Sequence, residues 1–265
     1  MNKKQKISTA IILCGGKGSR LGSIGKRLPK TLVEIHSKPI LWYIIKNLIK
    51  NKFNHLILPV GHKGEMIRNY INKNKGEFSG VKIDIVNTGV NTIIAKRIFK
   101  IKNYILSENF ILLNGDAIFN FNIFKLFKNH ISKNNYITFL GTSAPLSYGV
   151  IIFRKNKISD FKREIVFNSV KQNYKKHFTG YVYSGMSIIN KKVMNASFKN
   201  YKNFEQDLYP KIIKKYKTDF CNIKGEWYSI DNEKDINSLN QQNTKKYISI
   251  KKIFKKLNEK KFLEK

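Results

Sequence analysis

The sequence predicts an α/β protein built on a doubly wound, mostly parallel sheet. Three observations carry that prediction. Short, unbroken apolar runs end in glycine or in a polar turn, as strands buried on both faces do. Between them lie segments with apolar residues at helical spacing. Through the first half of the 265-residue chain the two alternate at roughly 20–30 residues, the rhythm of strand–helix–strand units.

Thr9-Ala10-Ile11-Ile12-Leu13-Cys14 reads as the first buried strand, and it stops at Gly15. Ile40, Ile44, Ile45, Leu48 and Ile49 mark one face of a helix. His55 to Gly61 reads as a second strand, Lys63 to Ile71 as a second helix, Val81 to Val86 as a third strand and Phe110 to Asp116 as a fourth. The second half differs. Tyr136–Leu140, Gly149–Phe153, Tyr183–Ile189 and Asp219–Ile223 read as strands joined by longer irregular stretches, the pattern of a mixed-strand lobe. With no Pro- or Ser-rich linker, residues 8–240 are expected to form one domain with two lobes. Residues 241–265 form a basic tail with Ile250, Ile253, Phe254 and Leu257 at helical spacing. Such an amphipathic helix has a membrane surface, the protein's own body or a second subunit open to it, and packing on protein is the expected outcome.

Lys and Arg number 51 against 17 Asp and Glu, a formal charge of +34. A content of 42% hydrophobic and 12% aromatic residues excludes a disordered polycation, which has too little apolar surface to bury. The charge fits a polyanionic partner, or a composition bias toward Lys, Asn and Ile along the whole chain. Only six of the 51 cations are Arg, the residue on which nucleic-acid readers rely for bidentate contacts, so specific nucleic-acid binding is not expected. Cys14 and Cys221 offer neither metal-ligand spacing nor a disulfide framework. The apolar stretch from Ala10 is shorter than the ~7 residues a signal core needs, and no segment reaches the ~20 of a membrane span. A cytoplasmic protein is expected, with homo-oligomer formation left open.

The first strand runs directly into Leu13-Cys14-Gly15-Gly16-Lys17-Gly18-Ser19-Arg20-Leu21. Glycines let a backbone approach a phosphate and aim its N–H groups at the anion. Arg20 adds a charged fork, and Lys30 places a second cation about ten residues on. The C-terminal end of a strand is where open α/β sheets bind ligands. Neither the P-loop pattern nor Gly-x-Gly-x-x-Gly fits, and an ordinary turn remains the alternative.

Gly15 to Leu21, with Pro29-Lys30-Thr31-Leu32-Val33-Glu34-Ile35 and Lys38-Pro39-Ile40-Leu41, resembles the signature of sugar-1-phosphate nucleotidyltransferases. Lys38 to Ile44 and Gly61-His62-Lys63-Gly64 are most similar to glucose-1-phosphate cytidylyltransferases. Asn87-Thr88-Gly89, Arg97 and Gly225 to Asp231, with Asp235 beyond, continue the likeness over roughly residues 9–240. The resemblance implies a Rossmann-like nucleotidyltransferase sheet, with a nucleotide half at about 8–130 and a substrate half at about 131–240. It implies attack by a sugar-1-phosphate oxygen on the α-phosphorus of a nucleoside triphosphate, CTP being favoured, with release of pyrophosphate. The product is an activated sugar for surface polysaccharide. Such transfers need two polyanions aligned and their charge neutralised, hence Mg²⁺ on oxygen ligands together with Lys and Arg.

On this resemblance Arg20, Lys30 and Asp116 are the expected catalytic residues, and Asp116 and Asp231 the Mg²⁺ ligands. Leu13, Gly15, Gly16, Gly18, Ser19, Arg20, Thr88 and Gly115 are expected at the nucleotide. Lys162, Arg163, Gly185, Glu205 and Asp207 are expected on the acceptor side. Each has a plainer reading. Asp116 and Asp231 are also placed to cap helices. Arg20 and Lys30 can be solvated surface charge, and Phe204-Glu205-Gln206-Asp207-Leu208 an acidic helix start.

Three motifs depart from the family. Ile94-Ala95-Lys96 replaces Thr-Gly-Gly, and side chains at Ala95 and Lys96 are expected to narrow the approach to the substrates. Phe161 to Ile165 replaces Glu-Lys-Pro, with Lys162 or Arg163 as stand-ins. Tyr183-Ser184-Gly185 replaces Asn-Gly-Gly. The acceptor half diverges more than the nucleotide half, which points away from plain glucose-1-phosphate as acceptor.

Overall fold

The structure, a computed structural model, describes residues 8–143, 150–154, 157–162, 169–172, 176–179, 181–194, 198 and 200–259. Strand β1 (Thr9–Leu13) is buried on both sides: Ala10 and Ile12 enter one core layer and Ile11 the other. The chain continues through helix α1 (Gly22–Arg27) and a small hairpin, β2 (Glu34–Ile35) with β3 (Lys38–Pro39). Helix α2 (Ile40–Lys50), β4 (His55–Val60), α3 (Gly64–Lys73) and β5 (Lys82–Asn87) follow. Then come α4 (Ile94–Lys100), β6 (Asn109–Asn114), β7 (Ala117–Asn120), α5 (Ile123–Ser132) and β8 (Ile137–Thr142). The second half supplies two hairpins, β9 (Val150–Arg154) with β10 (Lys157–Lys162) and β11 (Ser169–Gln172) with β12 (Lys176–Thr179). It ends with β13 (Val182–Asn190), α6 (Tyr209–Lys215), β14 (Thr218–Asn222), β15 (Glu226–Ser229), α7 (Glu233–Asn240) and α8 (Lys245–Asn258).

Seven strands form the central sheet in the order β14-β8-β13-β6-β1-β4-β5. β1, β4, β5 and β6 are parallel, β14 is parallel to β8, and only β13 runs against its neighbours β6 and β8. The sheet is thus mostly parallel, as the buried apolar runs predict. From β1 the chain moves outward to β4 and β5, then crosses back to β6 on the other side of β1. That reversal opens a crevice at the C-terminal ends of β1 and β6, the place where such sheets bind ligands.

Helices α2, α3, α7 and α8 cover one face of the sheet, and α4 and α6 the other. In the tail, α8 lays Ile250, Ile253 and Leu257 into the first layer, and Phe254 packs 5.5 Å from the Trp42 ring. Each fully buried aliphatic side chain is worth about 1.5–3 kcal/mol, so the protein's own body holds this helix while its lysines face out. No helix among the described residues is long and apolar enough to cross a membrane.

One of the shifted boundaries bears on the site. The fourth strand ends at Asn114, not Asp116, and Gly115-Asp116 forms a turn into β7. β7 pairs antiparallel with β15, from Ala117↔Ser229 to Asn120↔Glu226. Asp116 therefore caps no helix. The turn between two strands brings it toward the crevice, and the β7–β15 pairing brings Asp231 to the same place.

Candidate active site

A cavity of about 470 Å³ fills the crevice. Leu13 and the loop Gly15, Gly16, Gly18, with Ser19 and Arg20 after it, form one side. Lys30, Gly115, Asp116 and Asp231 form the floor, Val90, Thr92 and Ile94 the opposite wall, and Glu205 reaches in from the second half. A Cβ on Gly115 would stand 2.5 Å from the Leu13 carbonyl oxygen, so only glycine lets this turn press against β1.

The charges converge on Lys30. Its Nζ donates to Asp116 Oδ2 at 2.9 Å and to Asp231 Oδ1 at 3.1 Å, and its side chain is 15% exposed. Arg20 Nη1 lies 3.0 Å from the same Asp231 oxygen, yet its side chain is 74% exposed, so solvent screens this pair. Asp231 is held from behind: the Ser229 hydroxyl donates to Oδ2 at 2.9 Å, and the Asp231 N–H donates to Asp235 at 2.7 Å. Burial opposes its ionisation. The Ser229 bond and the charges of Lys30 and Arg20 outweigh that, and its pKa lies below the ordinary Asp value. The N-cap of α7 is Asn232, so Asp231 is left for the cavity.

Arg97, on the buried side of α4, fixes the loops around this floor. Its Nη1 donates to the Val60 carbonyl at 2.9 Å and to Thr88 Oγ1. Its Nη2 donates to the carbonyls of Gly15, Gly89 and Thr92 at 3.3, 3.1 and 3.0 Å. One guanidinium thus ties the glycine loop to the ends of β4 and β5. A Cβ on Gly15 would fall inside that guanidinium.

Several expected roles move. Thr88 does not line the cavity: it is buried, donates its hydroxyl to the Val60 carbonyl at 2.8 Å and accepts from Arg97. Asp207 caps the turn at Phe204–Leu208, accepting the Asn203 N–H at 2.9 Å, while Asn203 accepts from Glu205 and Gln206. The same turn sends Glu205 into the cavity, where burial and the neighbouring Asp116 raise its pKa. Gly185 is also outside the cavity lining. With φ +74° it lets β13 pass Asn114, whose Nδ2 would stand 2.6 Å from any Cβ there, and Asn114 is the residue that lines the cavity. Ala95 points into the core and exposed Lys96 does not line the cavity, so neither narrows it. Ile94 does. Lys162 ends β10 at its pairing with Val150, and Arg163 lies outside the described residues.

Sequence reasoning placed Arg97 and Thr31 only within the likeness and Ile94 only among the departures from it, and gave Asn114 no role beyond its strand. A lone arginine beside Ala95 and Ile98 on the apolar side of a helix is the signal that could have flagged Arg97. Among the described residues no three His, Cys, Asp or Glu cluster as a metal site, so a cation here would have two carboxylates and whatever a substrate brings.

A glycine loop at a sheet switch point and a carboxylate pair bridged by lysine coincide with a family match over residues 9–246, described as nucleotidyl transferase. The chain belongs to that family. The expected superfamily and enzyme class therefore hold. The chain is 29% identical over 251 residues to a probable glucose-1-phosphate cytidylyltransferase from Bacillus subtilis, covering 88% of this chain and 94% of that one. It is 33% identical over 208 residues to D-glycero-alpha-D-manno-heptose 1-phosphate guanylyltransferase from Aneurinibacillus thermoaerophilus, covering 76% and 84%. The crystal structure of HddC from Yersinia pseudotuberculosis superposes with a TM-score of 0.65 at 21% identity, over 93% of this chain and 99% of that one. That likeness carries the fold, a mostly parallel sheet flanked by helices.

Proposed function

We propose that this nucleotidyltransferase moves a nucleotidyl group from CTP to a sugar 1-phosphate, releasing pyrophosphate and an activated sugar for surface polysaccharide in the cytoplasm. The observation that carries the reading is Lys30, a barely exposed ammonium held between Asp116 and Asp231 and facing the glycine loop. Phosphate oxygens at that loop meet backbone N–H groups from Gly15 to Gly18, the Lys30 charge and the exposed Arg20 fork. An acceptor phosphate on the Glu205 side is then aligned with the α-phosphorus, and Arg20 steadies the leaving pyrophosphate. Alignment and charge neutralisation are most of what such a transfer requires.

The carboxylate pair suits Mg²⁺. One ammonium, at 2.9 and 3.1 Å, draws Asp116 and Asp231 together, so a cation beside it would have both carboxylates within reach, and both are hard oxygen donors of the kind Mg²⁺ takes one or two at a time. When bound, the ion supplies charge that offsets the triphosphate and activates the phosphorus toward attack. CTP rests on the cytidylyltransferase relative, and the guanylyltransferase relative makes GTP the competing donor.

The test is pyrophosphate release from CTP, GTP, UTP and dTTP against a panel of phosphorylated sugars. We expect one donor–acceptor pair to turn over, with activity lost on chelation of Mg²⁺ and in Asp116→Ala. Nucleotide binding without turnover by any pair would leave a regulatory subunit instead.

A further inference from the structure

A second cavity, of about 320 Å³, opens on the same edge of the sheet. The catalytic cavity takes the C-terminal ends of β1 and β6. The second lies against Leu140 and Gly141 of β8, Phe220 of β14, and Val182 and Tyr183 at the start of β13. Because β13 runs in reverse, its beginning meets the ends of its neighbours at that edge. These are the strands just beyond β6 in the sheet, so the two cavities are neighbours, and Glu205 lines both.

The wall of the second cavity is apolar and open. Tyr181, Val182, Ile213 and Phe220 are 46%, 47%, 51% and 44% exposed, although all are large and apolar. The Tyr181 and Phe220 rings stack, 4.9 Å apart at 27°. Behind them the Tyr183 and Tyr209 hydroxyls bond each other at 2.8 Å, so these two hydroxyls are already partnered. Glu205 is the only charged residue among the described residues lining it. The glycine loop, Arg20 and Lys30 line the catalytic cavity and are not among the described residues lining this one, which assigns this space to the end of an acceptor remote from its phosphate. The wall wants an apolar face and Glu205 wants a hydrogen-bond donor. An acylated amino group carries both, an N–H for the carboxylate and an acyl group for the stacked rings.

We propose that the second cavity is an acceptor-extension subsite, which seats the N-acyl substituent of an amino-sugar 1-phosphate against Tyr181, Ile213 and Phe220 with its amide N–H donated to Glu205. The proposal rests on the transferase reading only for the position of the phosphate end.

Calorimetric titration of the full chain separates the two. The probes are N-acetylglucosamine 1-phosphate, glucose 1-phosphate and a heptose 1-phosphate, on wild type and on Phe220→Asp and Ile213→Lys, which alter exposed positions. We expect the N-acetyl probe to bind about tenfold more tightly than glucose 1-phosphate, the scale of a small group in a fitted apolar pocket, and parity in both variants. Equal binding in wild type, an advantage that survives both substitutions, or preference for the heptose probe overturns the subsite. So does a concentration-dependent dimer that either variant dissolves, since a second copy would then own the surface. Parallel measurement of pyrophosphate release tests the transferase reading alone: no turnover sinks that reading and leaves the binding comparison standing.

Discussion

Replacing Lys30 by methionine keeps the bulk of the side chain and deletes the charge that two carboxylates share. Two charge-assisted hydrogen bonds are lost, at 2.9 and 3.1 Å, each worth about 1.5–3 kcal/mol. The Lys30 side chain is only 15% exposed, so solvent screens these bonds weakly, but Asp116 and Asp231 at 24% and 37% recover part of their hydration. A net stability loss of about 2–3 kcal/mol is expected, because the carboxylates are left facing each other with only the exposed Arg20 pair and the Ser229 bond, both at Asp231. Turnover should fall by about 10²–10³, the usual cost of removing one group that stabilises developing charge. The double variant Lys30→Met/Asp231→Asn separates these effects. Removing one carboxylate relieves the repulsion, so the denaturation midpoint should recover most of the way to wild type while pyrophosphate release stays low. If Lys30→Met keeps kcat/KM within a few-fold of wild type, Lys30 is a structural bridge and the catalytic assignment fails. If the double variant regains activity together with stability, the same conclusion follows.

Four further outcomes can be checked independently. Gly15→Ala drives a methyl group into the Arg97 guanidinium, so KM for the nucleotide should rise at least about tenfold with acceptor KM less affected; an unchanged nucleotide KM would show that the loop does not hold the triphosphate. Arg20→Ala should change stability by less than about 1 kcal/mol, since the pair is exposed, yet raise nucleotide KM and flatten its dependence on salt. Glu205→Gln should act on acceptor KM, whereas Asp207→Asn should cost about 1 kcal/mol of stability as a lost cap and leave acceptor KM alone; equal kinetic effects would refute the separation. Burial pushes His130 down to about 4, against the opposing charge of Asp219. The unfolded chain takes a proton near 6.5 that the folded chain refuses, so stability is intact above that pH and falls as pH drops toward 4, by about 3 kcal/mol. Urea midpoints measured across that range should fall more steeply in wild type than in His130→Gln, and parallel slopes would refute the assignment.

The parts legible in the sequence are those set by local pattern. Strands buried on both faces must be continuously apolar, so β1, β4 and β6 announce themselves, and α2 shows its face through Ile40, Ile44 and Leu48. The glycine loop is legible for a similar reason, since close backbone approach excludes side chains. What escaped is non-local. β7 is four residues long and exists because β15, more than a hundred residues away, pairs with it. That pairing, not any feature near Asp116, decides that Asp116 faces a cavity instead of capping a helix. Helix phase escaped too. Ala95 and Lys96 straddle the core boundary of α4, and a string of letters does not say which side Ile94 takes. Glu205 and Asp207 sit two residues apart on one turn and face different ways for the same reason.

The charge of +34 explains less about recognition than its size suggests. Lysines spread over a surface attract every anion alike, and their field decays within about 10 Å at ordinary salt. They can raise the rate of encounter with a triphosphate, but they cannot tell it from any other polyanion. Discrimination needs cations whose positions are fixed by something other than solvent. Lys30 meets that condition because two carboxylates hold its ammonium at the cavity floor. Arg20 meets it in part, tethered to Asp231 at 3.0 Å but exposed enough to turn toward a phosphate. Salt should therefore act on association and on nucleotide KM while leaving the ranking of acceptors unchanged. That ranking is set on the other side of Glu205, where the described residues of the wall are mostly apolar and include no cation.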